Sequence, residues 1–190
     1  MMRSQYTILA YWSWLLLGLV WLPGYFMSKN TSNVPRRALQ IPATLLLIAG
    51  FTLLLNPGFQ VPDMPVTPNN ALFGIIGVML DWPGVAVAIW ARLALGRNWS
   101  GIVVTMKQGH ELVQTGPYAV VRHPIYTGLL LAVIGTAVTE GTFAAYVGVA
   151  AIFIAFLIRV AIEDQLMSEQ FGEAYQAYRG RTWKLVPLVW

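Results

Sequence analysis

Long apolar stretches separated by polar connections dominate the chain. They cover residues 6–27, 37–55, 71–95, 125–138 and 142–159. A membrane-spanning helix needs about 20 apolar residues, and the first three stretches reach that length. The last two are shorter and meet at residues 139–141, which predicts a tight hairpin whose helices cross by tilting or by extending into the interface. The pattern predicts an all-α, polytopic membrane protein with about five transmembrane helices.

The basic residues indicate how these helices are oriented. Lysine and arginine occur in the connections 28–36 and 96–124 and in the C-terminal tail, but not in the connection 56–70 or at the hairpin tip. Cytoplasmic loops carry an excess of these residues. We therefore expect the N-terminus outside, with Arg3 as the one misplaced cation, and a small cytoplasmic cap built from 96–124 and 160–190. No organelle signal is evident, which favours a prokaryotic inner membrane.

Composition excludes several classes of function. Hydrophobic residues make up 57% of the 190 and charged residues 11%, whereas soluble domains carry about a quarter charged residues. Cysteine is absent, which excludes disulfides, thiolate metal sites and a catalytic thiol. The two histidines, His110 and His123, lack the spacing of metal ligands on one helix. The net charge of +4 is spread over several loops, so neither a metal nor a nucleic acid is expected as a partner.

Two clusters of polar side chains interrupt the apolar pattern near the predicted cytoplasmic surface. Their members are Tyr118, Arg122, His123 and Tyr126 around the start of the fourth stretch, and Arg159, Glu163 and Asp164 at the end of the fifth. Such groups are costly at a membrane boundary unless something occupies them, so the clusters suggest a buried polar ligand. The alternatives are that Arg122 and His123 are interfacial cations, and that Arg159 and Glu163, at i and i+4, form an intrahelical ion pair.

The residues around these clusters form two motifs. The first combines Asn98-Trp-Ser, Gly116-Pro-Tyr and Arg122-His-Pro-Ile-Tyr-Thr-Gly, and the second combines Arg159-Val-Ala-Ile-Glu-Asp with Phe171-Gly-Glu-Ala-Tyr. Over residues 90–190 the chain resembles the isoprenylcysteine carboxyl methyltransferase family, whereas the first 70 residues resemble it only in being hydrophobic. The resemblance implies a helical membrane fold in which the last two spans and the C-terminal segment enclose the methyl donor, S-adenosylmethionine.

The resemblance also implies roles for individual positions. Glu163 would bind the cofactor, through ribose hydroxyls or the ammonium group, and Arg159 would face the methyl acceptor, which makes these two the candidate catalytic residues. The other positions of the implied cofactor site are His110, Glu111, Leu112, Val113, Tyr118, His123, Pro124, Ile125 and Tyr126. In one domain of 190 residues, 1–95 would supply three spans, and 96–190 the cofactor-binding loop, the hairpin and the C-terminal segment.

The chemistry of S-adenosylmethionine agrees with these residue types. Its cationic groups need a carboxylate, its own carboxylate needs cationic or backbone donors, and its adenine needs an apolar slot, which Tyr118 and Tyr126 would form. No glycine-rich strand-to-helix loop is present, which argues against a soluble Rossmann-type domain.

The nature of the methyl acceptor is left open between several classes. A carboxylate is ionised at neutral pH and needs no general base, and the planar guanidinium of Arg159 suits it. This favours an isoprenylated cysteine or a similar lipophilic acid that arrives through the bilayer. A phospholipid amine, a phenolic lipid or a thiol would instead need a base such as Glu163 or His123. A nicotinamide-dependent membrane reductase and a non-enzymatic membrane protein are the remaining alternatives.

Other polar residues lie outside the two motifs. Asp81 interrupts the middle of the third stretch, and a carboxylate at that depth indicates either substrate binding or a hydrogen bond to a neighbouring helix. Pro83 is expected to kink this helix and to open a cavity or lateral portal. Tyr175, Tyr178 and Arg181 are interpreted as residues that dock the cap on the lipid surface.

Overall fold

The computed structural model describes residues 2–26, 31–33, 37–56, 64–99, 106–107, 109 and 111–189. Within these residues the chain is mostly helical. The helices are α1 (Met2–Phe26), α2 (Arg37–Leu55), α3 (Ala71–Leu95), α4 (Pro124–Glu140), α5 (Phe143–Phe171) and α6 (Glu173–Gly180). Two short antiparallel strands, β1 (Thr31–Asn33) and β2 (Met106–Lys107), join the connection after α1 to the one after α3.

The long helices have the character of membrane spans. α1, α3 and α5 are long and apolar enough to cross a membrane, and α2 and α4 are shorter apolar helices. Large apolar side chains such as Leu19, Leu45 and Leu93 are exposed on their outer faces, as expected of surfaces that contact lipid. The predicted class, an all-α multi-pass membrane protein, is confirmed. One predicted boundary is wrong, because α5 continues past Arg159 to Phe171 and the cap begins as an extension of this helix.

α3 and α4 pack backbone to backbone through small residues. A Cβ atom at Gly84 would lie 2.6 Å from the carbonyl oxygen of Gly128, and one at Gly128 would lie 2.6 Å from that of Gly84. Gly77 and Gly135 continue the same contact along the two helices. Lipid provides no hydrophobic driving force between helices, so close van der Waals packing of this kind holds them together.

The remaining helices leave a gap in the bundle. α2 packs on α5, where a Cβ at Gly148 would lie 2.6 Å from a carbonyl oxygen of α2, and α1 packs on α3 and α4. α1 and α2 meet where the rings of Trp14 and Phe51 touch, with centroids 5.3 Å apart, and where the Tyr11 hydroxyl donates to the Leu55 oxygen. Beyond these contacts, toward the C-terminal end of α1, a cleft separates the two helices; we call it the α1–α2 cleft.

The hairpin predicted at residues 139–141 is confirmed. Gly141 ends α4 with a φ of 61°, in the left-handed region that glycine adopts without strain. Thr142 then caps α5, because its hydroxyl accepts a hydrogen bond from the Ala145 amide at 3.2 Å.

The C-terminal tail returns to the turn that precedes α4. The Trp183 amide donates to the Val120 oxygen at 3.0 Å, and the Arg122 amide donates to the Trp183 oxygen at 2.8 Å. The Thr127 hydroxyl donates to the Leu185 oxygen at 2.6 Å, which attaches the tail to the first turn of α4. The turn, the start of α4, the end of α5 and α6 are thereby held around one space.

Candidate active site

His123 connects the start of α4 to the end of α5. It directly precedes the helix, and Pro124 at the first helical position fixes the backbone there. The imidazole is buried, with Nδ1 3.1 Å from Glu163 Oε2 and Nε2 2.9 Å from Asp164 Oδ1. In the first turn of α4, the Tyr126 hydroxyl donates to Glu163 Oε1 at 2.5 Å. The two polar clusters seen in the sequence therefore meet in the structure.

These contacts determine the charge state of His123. Burial alone would lower the pKa of the imidazole. The hydrogen bonds and negative charges of Asp164 and Glu163 outweigh burial, so the pKa is raised above its ordinary value of 6.5. A protonated ring donates through both nitrogens, which matches a carboxylate on each side. The arrangement favours the imidazolium form.

Asp164 links the cap to the site, a role that the sequence analysis did not identify. Besides His123, it accepts a hydrogen bond from the Tyr175 hydroxyl at 2.5 Å. Lys184 Nζ lies 3.4 Å from its Oδ2, and Arg122 Nε lies 3.9 Å from its Oδ1. One carboxylate on α5 therefore ties down the turn before α4, α6 and the tail. The sequence signal was weak, because these partners are distant along the chain.

Buried tyrosines surround this end of the bundle. The Tyr178 hydroxyl donates to the backbone carbonyl oxygen of Tyr118 at 2.7 Å. Burial raises the pKa of Tyr178 to about 12 and raises the pKa values of Tyr118 and Tyr175 well above 10.0. All three hydroxyls therefore stay protonated at neutral pH, and those of Tyr175 and Tyr178 act as donors. The expectation that Tyr175 and Tyr178 dock on the lipid surface is wrong, because both are buried and bonded inside the cap.

A cavity of about 590 Å³ extends from this polar end toward the membrane interior. Nine of the predicted site residues line it: Glu111, Leu112, Val113, Tyr118, His123, Ile125, Tyr126, Arg159 and Glu163. We call its other part the apolar arm, lined by Trp14, Leu17, Trp21, Leu47, Ile48, Phe51, Leu55, Leu129 and Phe156. The sequence did not identify the residues of the arm, because apolar residues that face a cavity carry the same signal as those that face lipid.

Three predicted residues stand apart from the cavity. His110 lies outside the residues that the structure describes. Pro124 and Asp81 are fully buried, and neither is among the described residues that line the cavity. The Asp81 carboxylate instead accepts a hydrogen bond from the Thr136 hydroxyl at 3.0 Å, a contact between α3 and α4. The opening expected at Pro83 is not found there either, since α3 continues through this residue and, among the described residues of α3, Leu95 is the one that lines the cavity.

Arg159 lies between the polar end and the apolar arm. Its side chain is 4% exposed, and its Nε and Nη2 have no hydrogen-bond partner among the described residues. Glu163, one turn away, bonds instead to His123 and Tyr126. Buried N–H groups without acceptors are costly, and the planar fork of a guanidinium matches a carboxylate. The site is therefore suited to receive an anionic group.

Sequence comparisons find related proteins among membrane methyltransferases. A sequence model of the phospholipid methyltransferase family matches residues 72–174. The protein-S-isoprenylcysteine O-methyltransferase of Schizosaccharomyces pombe is 31% identical over 101 residues, which are 52% of this chain and 43% of that protein. The nickel-cobalt-cadmium resistance protein NccN of Alcaligenes xylosoxydans xylosoxydans is 33% identical over 89 residues, 46% of this chain and 41% of that protein.

A solved structure shares the fold. The eukaryotic intramembrane Ras methyltransferase ICMT (isoprenylcysteine carboxyl methyltransferase) aligns with a TM-score of 0.57 and 23% identity, over 83% of this chain and 55% of that one. The chain spans less than half the length of the first curated relatives that it matches. The family match runs from the start of α3 to the start of α6 and contains both motifs except for Tyr175. The resemblance to isoprenylcysteine carboxyl methyltransferases is confirmed, and the chain belongs to the phospholipid methyltransferase family.

Proposed function

We propose that this protein is an S-adenosylmethionine-dependent membrane methyltransferase that methylates the carboxylate of a lipophilic acceptor such as an isoprenylated cysteine. The observation that carries the proposal is a single cavity with a polar end and an apolar arm, between which Nε and Nη2 of Arg159 have no hydrogen-bond partner among the described residues. Such a cavity suits one polar and one lipophilic ligand. Because residues from both 1–95 and 96–190 line it, we propose that the chain acts as one domain.

The polar end offers the groups that S-adenosylmethionine requires. The Glu163 carboxylate suits the ribose hydroxyls or the ammonium group, and the rings of Tyr118 and Tyr126 offer flat surfaces for adenine. Residues 111–113 line the same end and add backbone donors. When bound, the cofactor would supply an activated methyl group on its sulfonium, and the role of the protein is to orient that group and to exclude water.

Arg159 would hold the acceptor carboxylate in line with the methyl group. The carboxylate is ionised at neutral pH, so no proton has to be removed before it attacks. Glu163 keeps its hydrogen bonds to His123 and Tyr126 and needs no part in proton transfer. Burial of Arg159 strengthens its pairing with the acceptor and strips water from the nucleophile, so positioning and desolvation provide the rate enhancement.

The acceptor would reach the cavity from the bilayer through the α1–α2 cleft. Gly18 and Ile48 line the cavity and are nevertheless exposed on the outer surface, Ile48 to 60%. A Cβ atom at Gly18 would meet no atom within 4 Å, so the cleft is open at this point. We place the cap in the cytoplasm of a prokaryote, where the cofactor is made, and the N-terminus on the other side of the inner membrane.

Binding and turnover measurements test the proposal. Calorimetry on detergent-solubilised protein should show saturable binding of S-adenosylhomocysteine, and a titration with NADPH should show none. Labelled methyl groups should pass to prenylated cysteine acids, and Arg159→Ala should slow this transfer by roughly 10²–10³-fold, the loss typical of removing a charge-stabilising donor. Lack of nucleoside binding, or equal losses with anionic and neutral acceptors, would overturn the assignment.

A phospholipid amine is the second candidate acceptor, because the family to which the chain belongs is named for phospholipids. A protonated amine must lose a proton before it attacks, so a base such as Glu163 or His123 would be required. Faster methylation of phosphatidylethanolamine than of prenylated cysteine, with little effect of Arg159→Ala, would favour this acceptor over the carboxylate.

A further inference from the structure

A chain of hydrogen bonds crosses the bundle beside the deep end of the apolar arm. Trp14 on α1 donates from Nε1 to the Thr136 hydroxyl on α4 at 2.9 Å. The Thr136 oxygen lies 3.0 Å from Asp81 Oδ1 and 3.0 Å from the Ala132 carbonyl oxygen. An indole N–H can only donate, so the hydroxyl accepts from Trp14 and donates its own proton to the Asp81 carboxylate, the stronger of the two acceptors. Asp81 and Thr136 are fully buried.

Trp14 connects this chain of hydrogen bonds to the cavity. Its ring lines the apolar arm and meets Phe51 of α2 edge to face, with the ring planes at 82°. Aromatic pairs favour this geometry. One turn away, the Tyr11 hydroxyl donates to the Leu55 oxygen at 3.3 Å. These contacts bring α1 and α2 together and close the arm at the end opposite the polar site.

Helix geometry gives the depth of this closed end. Tyr126 and Thr136 are ten residues apart on α4, which corresponds to about 15 Å at the usual rise per residue. Trp14 lies at the level of Thr136, to which it is bonded. An apolar chain that extends from the polar end along the arm therefore meets the rings of Trp14 and Phe51 after a comparable length.

We propose that the Trp14–Phe51 pair sets the maximum length of the acceptor's apolar chain, and that Asp81, acting through Thr136, positions Trp14 for this role. The inference rests on the proposed function and narrows it to acids whose apolar chain extends about 15 Å into the arm. It also explains the position of Asp81. A carboxylate inside the membrane is costly, and this one acts without touching the acceptor, as a positioning residue.

A series of S-alkylated cysteine acids with increasing chain length tests the inference on the full-length protein. For the unmodified protein, kcat/KM should rise to an optimum length and fall beyond it. Thr136→Val keeps the side-chain shape but removes the acceptor of the indole N–H. The optimum chain length should therefore increase, because KM falls for the longer acids. Each methylene newly accommodated should raise kcat/KM about four-fold. Trp14→Phe and Asp81→Ala should shift the optimum in the same direction. Thr136→Ser keeps the hydroxyl and should have the same optimum as the unmodified protein.

Thr139→Val supplies the matched control. Thr139 is as buried as Thr136 on the same helix, and its hydroxyl donates to the Thr136 carbonyl oxygen at 2.7 Å. If Thr136→Val binds S-adenosylhomocysteine normally and has the same length optimum as Thr139→Val, the inference is overturned while the proposed function stands. If the unmodified protein methylates no acid of the series, the proposed function fails and the inference fails with it.

Discussion

A histidine held between two carboxylates makes the stability of this protein depend on pH. The pKa of His123 is raised in the folded state above its ordinary value of 6.5. The stabilisation is therefore complete below about pH 6.5 and is lost as the pH rises through the raised pKa. We expect the unfolding temperature in detergent to fall as the pH rises above about 6.5, and its pH dependence to be weaker for His123→Gln.

The other histidine of the chain provides the comparison for this experiment. His110→Gln removes the same type of side chain elsewhere and should leave the slope of the unmodified protein in place. A slope that persists in His123→Gln, or that disappears in both variants, would contradict the assignment of the pH dependence to the His123 site.

Asp164 is expected to hold the cap against the end of α5. Asp164→Asn keeps the shape but removes the negative charge that pairs with His123 and Lys184. We predict that the free energy of unfolding falls by about 1.5–3 kcal/mol, which is typical of hydrogen bonds to charged groups. Hydrogen exchange should also become faster in α6 and the tail than in α3.

An exposed carboxylate on the same helix serves as the control. Glu169 accepts a hydrogen bond from Gln165 on the surface of α5, and Glu169→Gln should change stability by less than about 0.5 kcal/mol. Similar losses for Asp164→Asn and Glu169→Gln would show that Asp164 does not tie the cap to the helix.

The contact between α3 and α4 leaves no space for a side chain at its glycines. Gly84→Ala would place a Cβ 2.6 Å from the Gly128 oxygen, so the helices must move apart. We expect the free energy of unfolding, measured by thermal or SDS-induced unfolding, to fall by about 1–3 kcal/mol, the usual cost of overpacking. Gly180→Ala is the control, because a Cβ there meets no atom within 4 Å. Equal stability of the two variants would contradict the close packing.

Single helices were easier to predict from the sequence than the way they pack. The bounds of α2 and α3 were predicted to the residue, because lipid imposes a continuous apolar length. The end of α5 was placed too early, since Arg159 resembles a membrane boundary when its cavity is unknown. The pairing of α2 with α5 and the α1–α2 cleft could not be predicted, because Leu47, which lines the cavity, carries the same apolar signal as Leu45, which is exposed.

In the candidate site too, some contacts could be predicted from the sequence and others could not. The contact between His123 and Glu163 could be predicted, because the two motifs carry polar groups that require partners near a membrane boundary. In the structure His123 Nδ1 lies 3.1 Å from Glu163 Oε2. The roles of Asp164 and Tyr175 did not follow, because a surface carboxylate and a cap tyrosine look the same in sequence whether or not they are bonded. Burial and partners decide such roles, and both depend on the tertiary fold.

At the scale of the whole molecule, the proposed function requires two separate routes to one cavity, through the cap for a polar ligand and through the α1–α2 cleft for a lipophilic one. Gly18→Phe would place a ring in the cleft without touching the polar end. We predict that KM for a long-chain acid rises at least about tenfold, while the affinity for S-adenosylhomocysteine is unchanged. Leu19→Phe is the matched control, since Leu19 is the adjacent residue and is 62% exposed to lipid. If Gly18→Phe and Leu19→Phe have the same KM, the acceptor takes another path, because a blocked cleft must slow every lipid that passes through it.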